Sequence, residues 1–255
     1  MIVRPPRLSI LPGLGPILVG VFSILWSIHY GATSFFIFIG FPAWIVSVVL
    51  KIAWAAPTNK RIKDYLEKKF PAKISGPIMW AYIGLLTGIF ECGIILLFVV
   101  LIPSFSNADW PEIIGFGIAF GAAEAIILGL ISFLGSLFVL LKPSETSQEK
   151  LQEVWLKIRK YPFTMISVPI VERIAAILVH IFTTVLIVLA FQQNAYYLFW
   201  VSFFFKSFVD SVAAWASQKF DIAHWQKQKQ IWFVESLFLA LGVISIFGIL
   251  WLSNM

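Results

Sequence analysis

Seven long apolar stretches dominate this sequence, and each is long enough to cross a lipid bilayer as a helix. They lie at roughly residues 12–30, 34–56, 77–102, 112–141, 166–191, 195–216 and 231–252. Hydrophobic residues make up 60% of the 255, and only 13% are charged, whereas about a quarter of an ordinary soluble domain is charged. The sequence therefore predicts an all-α polytopic bundle of about seven transmembrane helices, and it excludes a disordered chain, a disulfide scaffold and a typical soluble enzyme.

The positive charges predict how these spans are oriented. Sixteen of the 19 Lys and Arg residues lie before the first span or in the connections 57–76, 142–165 and 217–230. The alternate connections and the C-terminus carry none. Because Lys and Arg favour the cytoplasmic ends of short loops, we expect a cytoplasmic N-terminus and a C-terminus outside, in the plasma membrane. The net charge of +6 thus indicates the lipid bilayer as partner, and no nucleic acid.

The chain is expected to form one transmembrane domain over residues 1–255, since it shows no internal repeat and no long linker. Residues 145–160 read ETSQEKLQEVWLKIRK, in which apolar residues recur at helical spacing beside Lys and Arg. This pattern predicts an amphipathic helix on the cytoplasmic membrane face. A docking site for a soluble partner is the alternative interpretation.

A set of ionisable residues falls well inside the spans, where one charge costs about 2.5–3.5 kcal/mol at the bilayer centre. The set comprises Glu91, Glu124, Glu172, Arg173, His180, Lys206 and Asp210. Lys51 and Glu235 lie nearer span ends, so we expect their side chains to reach the membrane surface. The others must face one another inside the bundle, because lipid would leave them unsatisfied. They form either ion pairs that fix helix register or a functional site, and their number favours a site.

Helical spacing groups these residues further. Arg173 and His180 are seven residues apart and share a helix face, and Lys206 and Asp210 are four apart and adjacent. Small residues surround Glu124, namely Gly115, Gly117, Ala119, Gly121, Ala122, Ala123 and Ala125. Because small residues let membrane helices approach closely, we expect Glu124 at a tight helix crossing.

Four short motifs follow one another along residues 77–214. They are Phe90 to Ile95, Gly117 to Ala125 (GIAFGAAEA), Glu172 to Thr184 (ERIAAILVHIFTT) and Lys206 to Asp210. In order and spacing they resemble the signatures of the YhfC family of intramembrane proteases, relatives of the CAAX prenyl proteases and of PrsW. The third motif is the most specific; its matching residues are Glu172, Arg173, Ala176, His180 and Thr184.

The resemblance implies a protease-like core in spans three to six, residues 77–214, which hydrolyses peptide bonds through a glutamate-activated water. It implies that Glu91 is the general base, that His180 orients the water or stabilises the oxyanion, and that Glu124 is a further catalytic residue. The supporting charge network would then be Glu172, Arg173, Lys206 and Asp210. The resemblance also implies histidines that position this water or bind zinc, which makes zinc a possible cofactor.

Several signature positions depart from the family pattern, namely Cys92, Ile95, Phe120 and Lys206. The last two replace histidines, so one imidazole remains, whereas a catalytic zinc usually takes three protein ligands. The residues therefore disfavour zinc, and we assign no metal ligand. An ammonium offers donors only, so we expect Lys206 to take the place of a cation and to neutralise Glu91, Glu124 and Asp210.

We therefore expect a YhfC-like intramembrane protease whose hydrolysis is weakened or lost, and which binds a membrane peptide or partner protein. Two alternatives stay open. One is a small proton-coupled transporter, because buried acids with His and Lys also form proton relays. The other is a non-catalytic accessory subunit. No phosphate-binding glycine loop or Cys pair favours other chemistry.

Overall fold

The computed structural model describes residues 7–142, 152, 162–220 and 228–254, and these residues form helices and connections without any strand. The α-helices are α1 Leu11–His29, α2 Ser34–Lys69, α3 Ala72–Thr87, α4 Gly93–Leu101, α5 Trp110–Leu141, α6 Pro162–Gln192, α7 Tyr197–Lys219 and α8 Gln228–Leu252. A π-helical turn, Gly88–Cys92, joins α3 to α4, and short 3-10 helices cover Arg7–Ile10 and Pro103–Asn107. The predicted amphipathic helix at 145–160 lies almost wholly outside the described residues.

Seven helical rods in the described residues are long and apolar enough to cross a membrane. The rod made of α3, the π-helical turn and α4 counts as one of them. This result confirms the all-α class and the predicted number of spans. The observed ends agree with the predicted ones to within five residues, except at the end of α2.

Helix α2 continues to Lys69, although residues 57–76 were predicted to be a connection. A helix of 36 residues is about 54 Å long, whereas the hydrocarbon core of a bilayer is about 30 Å thick. Its last turns therefore extend beyond the membrane and carry basic residues into water. Pro57 lies inside the helix, where it removes one backbone hydrogen bond without ending it. We call this end of the bundle, where α2 and α7 end, the charged side.

Helix α5 crosses α6 at the small residues around Glu124. A Cβ added to Gly117 would lie 2.9 Å from Ile181 Cα, and one added to Gly121 would lie 3.0 Å from Ile177 Cα. These separations leave no room for a larger side chain at either glycine. The predicted tight crossing is therefore confirmed.

A second close crossing joins α3 and its π-helical turn to α7. A Cβ at Gly84 would lie 2.1 Å from the Ser207 carbonyl oxygen, and one at Gly88 would lie 2.2 Å from Ser207 Oγ. At both glycines the backbone of α3 and its π-helical turn therefore lies directly against α7. This approach brings Glu91, in the π-helical turn, beside Lys206 on α7.

Aromatic rings fill the bundle on the side opposite the charged side. Ring centroids are 5.0 Å apart between Phe36 and Phe105, 5.0 Å between Phe105 and Phe116, and 6.5 Å between Phe116 and Phe120. The Phe120 ring is 5.2 Å from the ring of His180. Phe105, Phe116 and Phe120 are fully buried. This series, called the aromatic stack below, closes the interior between the α4–α5 connection and His180.

Candidate functional site

Most of the charged residues inside the spans line one cavity of about 580 Å³. Its charged lining residues are Lys51, Glu124, Glu172, Arg173, Lys206 and Asp210. The cavity extends toward the charged side, where Asn59, Ser217 and Gln218 contribute to its walls. It is set between helices α2, α3, α5, α6, α7 and α8. The site is thus built by helices from both ends of the sequence.

Glu91 lies just behind this cavity and is held by two ammonium groups. Lys51 Nζ donates to Glu91 Oε1 at 2.6 Å, and Lys206 Nζ is 3.2 Å from Glu91 Oε2. Lys206 Nζ is also 3.8 Å from Asp210 Oδ1, one helical turn further along α7. Glu91 is 3% exposed and does not line the cavity. Glu91 Oε1 therefore accepts a hydrogen bond, whereas Oε2 has a cation at ion-pair distance but no hydrogen bond.

Glu124 has different partners, which come from α6. Arg173 donates from Nη1 to Glu124 Oε1 and from Nη2 to Glu172 Oε1. His180 Nε2 lies 3.0 Å from Glu124 Oε2. Arg173 and His180 thus contact one carboxylate from the shared helix face that their spacing predicts. Lys206 contacts Glu91 and Asp210 as predicted, whereas the cation in direct contact with Glu124 is Arg173.

The prediction that the Lys51 side chain reaches the membrane surface was wrong. Its ammonium points inward to Glu91, and its side chain is 24% exposed. The physical reason is the length of α2, which places Lys51 near the middle of a 36-residue helix rather than near its end. Residues 57–69 are rich in charge and continue α2 beyond the membrane. If these residues are read as helix, the sequence itself indicates that Lys51 lies deeper than the end of α2.

Glu235 is likewise buried rather than at the surface. It is 6% exposed, and its Oε2 has no hydrogen-bond partner. Helix α8 packs against α6, so Glu235 comes close enough to Glu172 and Arg173 to interact with them electrostatically. Helical periodicity does not predict the burial of Glu235, because α8 is apolar on all sides.

The π-helical turn that carries Glu91 had no counterpart in the sequence prediction. A π-helical turn inserts one residue into an α-helix, and such turns are frequent at functional sites. Gly84 and Gly88 precede Glu91 and permit the contact with α7, but no residue pattern specifies the turn itself. The turn is therefore a feature that only the packed structure reveals.

Two of the substituted signature positions lie in the packed core. Phe120 is fully buried, with its ring against that of His180. Cys92 is 1% exposed, and its Sγ is 3.6 Å from Ser202 Oγ on α7. Neither side chain lines the cavity. The space that a second imidazole would need beside His180 is filled by a phenyl ring.

The donor groups of the site do not fit the zinc ion that the resemblance implies. No three His, Cys, Asp or Glu side chains in the described residues are arranged to hold one metal ion. The imidazole of His180 already contacts Glu124, and Glu91 is bound by Lys51 and Lys206. Two ammonium groups beside a carboxylate repel a divalent cation. We therefore derive no chemical step through a metal.

Comparison with known proteins gives a family for the chain. The profile described as YhfC intramembrane metalloprotease matches residues 15–235, which include most of α1, all of α2 and the four motifs. No curated protein and no solved structure matches the chain. The matched range covers most of the sequence, so this protein belongs to the YhfC intramembrane metalloprotease family.

Proposed function

We propose that this protein binds a peptide segment of a membrane protein in the 580 Å³ cavity, and that hydrolysis through Glu91 is lost or strongly weakened. The observation that carries the proposal is the enclosure of Glu91. A general base must contact the water whose proton it takes, and that water must contact the substrate. Glu91 faces Lys51 and Lys206 and does not line the cavity, so a peptide bound in the cavity does not contact its carboxylate.

The walls of the cavity suit a peptide backbone. Small side chains line much of it, namely Ala55, Ala175, Ala176, Ala213, Ala214 and Ser217. Small residues let a second backbone come close, as they do between membrane helices. Its volume is within the usual range of ligand pockets, about 300–1,000 Å³. Ile52, which also lines the cavity, is 59% exposed, so the cavity reaches the lipid-facing surface beside α2.

The test is a binding measurement with a cavity-filling variant. The protein in lipid nanodiscs is titrated against a fluorescent single-span peptide, and binding is followed by anisotropy. Ala213→Phe fills the cavity and is expected to weaken binding at least about tenfold, because peptide and phenyl ring compete for one space. Ala81→Phe, on the exposed surface of α3, is the matched control. Equal binding by both variants would refute the cavity as the binding site.

A second candidate function is slow hydrolysis through Glu124 instead of Glu91. Glu124 lines the cavity, its side chain is 20% exposed, and His180 Nε2 is 3.0 Å from its Oε2. A carboxylate and an imidazole in contact are a suitable pair for general acid–base catalysis. The test is peptide cleavage followed by mass spectrometry. Loss of product in Glu124→Gln, with product retained in Glu91→Gln, would favour this candidate over binding alone.

A further inference from the structure

A second cavity, also of about 580 Å³, lies at the charged side between the end of α2, the start of α3 and the end of α7. We call it the interfacial groove. Its lining combines polar side chains with apolar ones, namely Leu66, Met79, Trp80 and Trp215. Gln218 is the one described residue that lines both this groove and the cavity proposed to bind a peptide. The groove is therefore a separate place in the fold.

The groove lies at the level where hydrocarbon meets lipid headgroups. Ile74 and Ile78 are exposed on the first turns of α3, as expected of side chains that face lipid. Tryptophan is enriched at this level of a membrane, and Trp80 and Trp215 both line the groove. Lys63, which lies on the part of α2 that extends beyond the membrane, lines it as well. A ligand in the groove thus contacts both the polar and the apolar layer.

Lys219 is a cation of the groove without an acidic partner. Two lysines and one glutamate line the groove, and Lys63 Nζ lies 3.9 Å from Glu67 Oε1. Lys219 Nζ lies over the rings of Trp215 and Phe220, at 5.2 and 5.9 Å from their centroids, and no carboxylate in the described part of the chain pairs with it. Ring contacts position the ammonium but supply no counter-charge. The lining therefore has one positive charge in excess.

Two neutral donors of the groove also have unused hydrogen-bonding capacity. Ser75 lines the groove and is 6% exposed, yet its hydroxyl has no hydrogen-bond partner among the residues that the structure describes. Buried hydroxyl groups are normally paired, so this one indicates a partner from outside the chain. The indole N–H of Trp80 donates to Gln218 Oε1 at 2.6 Å, whereas that of Trp215 has no described acceptor. An indole N–H and an ammonium only donate, so the ligand must accept.

The start of α3 adds to the attraction of an anion. Its N-cap is Pro71, which makes no side-chain capping bond, and Ala72 in the first turn lines the groove. The first N–H groups of a helix carry partial positive charge and bind phosphate well. The helix start, the buried Ser75 hydroxyl and the Lys219 ammonium thus favour the same class of ligand.

We propose that the interfacial groove binds the phosphate of an anionic phospholipid in the leaflet on the charged side, with Lys219, Ser75 and Trp215 donating to its oxygens. Leu66 and Met79 then contact the first carbons of its acyl chains. The exposed end of α2 and the start of α3 favour an anionic headgroup over a zwitterionic one, because they hold five further cations against one acid. These residues are Lys60, Arg61, Lys68, Lys69 and Lys73, with Asp64 as the acid. A soluble phosphate shares the recognition chemistry, and the experiment separates the two sources.

The experiment titrates the full-length protein in detergent with phosphatidylglycerol and with phosphatidylcholine, and native mass spectrometry counts the bound lipid. We expect phosphatidylglycerol to bind about tenfold more tightly, as one contact with an unpaired charge would give. Inorganic phosphate, added as a competitor at the same concentration as the lipid, should displace little of it, because it lacks the acyl chains that contact Leu66 and Met79.

The variants assign the preference to the groove. Lys219→Gln should reduce the preference for phosphatidylglycerol to less than about threefold, because it removes the unpaired charge. Lys219→Arg should retain the preference, since a guanidinium also donates to phosphate. Lys60→Gln, on the exposed end of α2 and outside the groove, is the matched control. Ser75→Ala should weaken phosphatidylglycerol binding without a change at the exposed surface.

Each contrary outcome overturns a stated part of the inference. Equal binding of the two lipids by the wild type would overturn the selection of an anionic headgroup. The same loss of preference in Lys219→Gln and in Lys60→Gln would overturn the groove as the site. Displacement of phosphatidylglycerol by an equal concentration of inorganic phosphate would overturn the lipid as the ligand.

Discussion

At the scale of single residues, Glu91 connects three helical rods through two ion pairs. Lys51 comes from α2 and Lys206 from α7, and both meet the carboxylate in the π-helical turn. A buried ion pair adds little net stability by itself, but removal of one partner leaves an uncompensated charge. These two ion pairs therefore give Glu91 a structural role.

Lys206→Met should destabilise the protein clearly, by on the order of 3 kcal/mol, because it leaves Glu91 and Asp210 with fewer partners in the interior. The Lys206 side chain is 6% exposed, so solvent does not replace the lost contact. Lys51→Met should destabilise less, since that side chain is 24% exposed. Thermal unfolding in detergent measures both effects. The control is Lys60→Met on the exposed end of α2, and a loss no larger than the control's would contradict this role.

The sequence identifies the site residues better than it identifies their pairing. Glu91, Glu124 and Lys206 stand out because each is costly in a bilayer, and all three lie at or beside the cavity. Their partners depend on helix rotation and on depth, which span counting gives only to within a turn or more. For that reason the sequence did not predict that Arg173 is the direct partner of Glu124. It also did not predict that Lys51 pairs with Glu91.

At the scale of elements, the crossing of α3 with α7 positions the whole Glu91 cluster. Gly84 and Gly88 lie on successive turns, and their lack of side chains allows close contact with Ser207. The π-helical turn follows directly and presents Glu91 to Lys206. A displacement of this crossing would therefore alter the ion pairs without any change in the charged residues.

Gly84→Ala tests the crossing. Its Cβ would lie 2.1 Å from the backbone oxygen of Ser207, so the helices must separate, and overpacking of this kind costs about 1–3 kcal/mol or more. We expect a lower unfolding temperature in detergent. Gly93→Ala, which follows the π-helical turn, meets no atom within 4 Å and should be neutral or slightly stabilising. The same unfolding temperature for both variants would show that the close contact is not required.

Helix ends and crossings differ in how far the sequence predicts them. The run of small residues on α5 predicts its close approach to α6, because the rule depends on side-chain size alone. The end of α2 was missed, because apolar patterning detects only the part of a helix that is in lipid. Polar residues 57–69 read as a connection, although they continue the same helix in water.

At the scale of the whole molecule, the cavity is open toward the charged side and closed toward the opposite side of the membrane. The cavity opens toward the charged side and toward lipid beside Ile52, and the aromatic stack fills the opposite half. A carrier must expose its site to each side in turn. Transport would require Phe105, Phe116 and Phe120 to move apart.

The charge distribution predicts that the charged side faces the cytoplasm. Single-cysteine labelling in intact cells measures this directly, with Cys92 replaced by Ser so that only the introduced thiol reacts. A membrane-impermeant maleimide should label Ser253→Cys from outside and should not label Asp64→Cys until the cells are opened. Both positions are exposed, so reactivity is matched. Labelling of Asp64→Cys in intact cells would show that the orientation is opposite to the predicted one.

The central claim is that this family member binds membrane peptides without Glu91-dependent hydrolysis. Its most direct test is mass spectrometry of a bound single-span peptide after prolonged incubation with the wild-type protein and with Glu91→Gln. We predict an intact peptide with the wild type, or a trace of product that Glu91→Gln leaves unchanged. Steady product formation by the wild type, abolished in a Glu91→Gln protein that still binds the peptide, would contradict the account and make Glu91 the catalytic base.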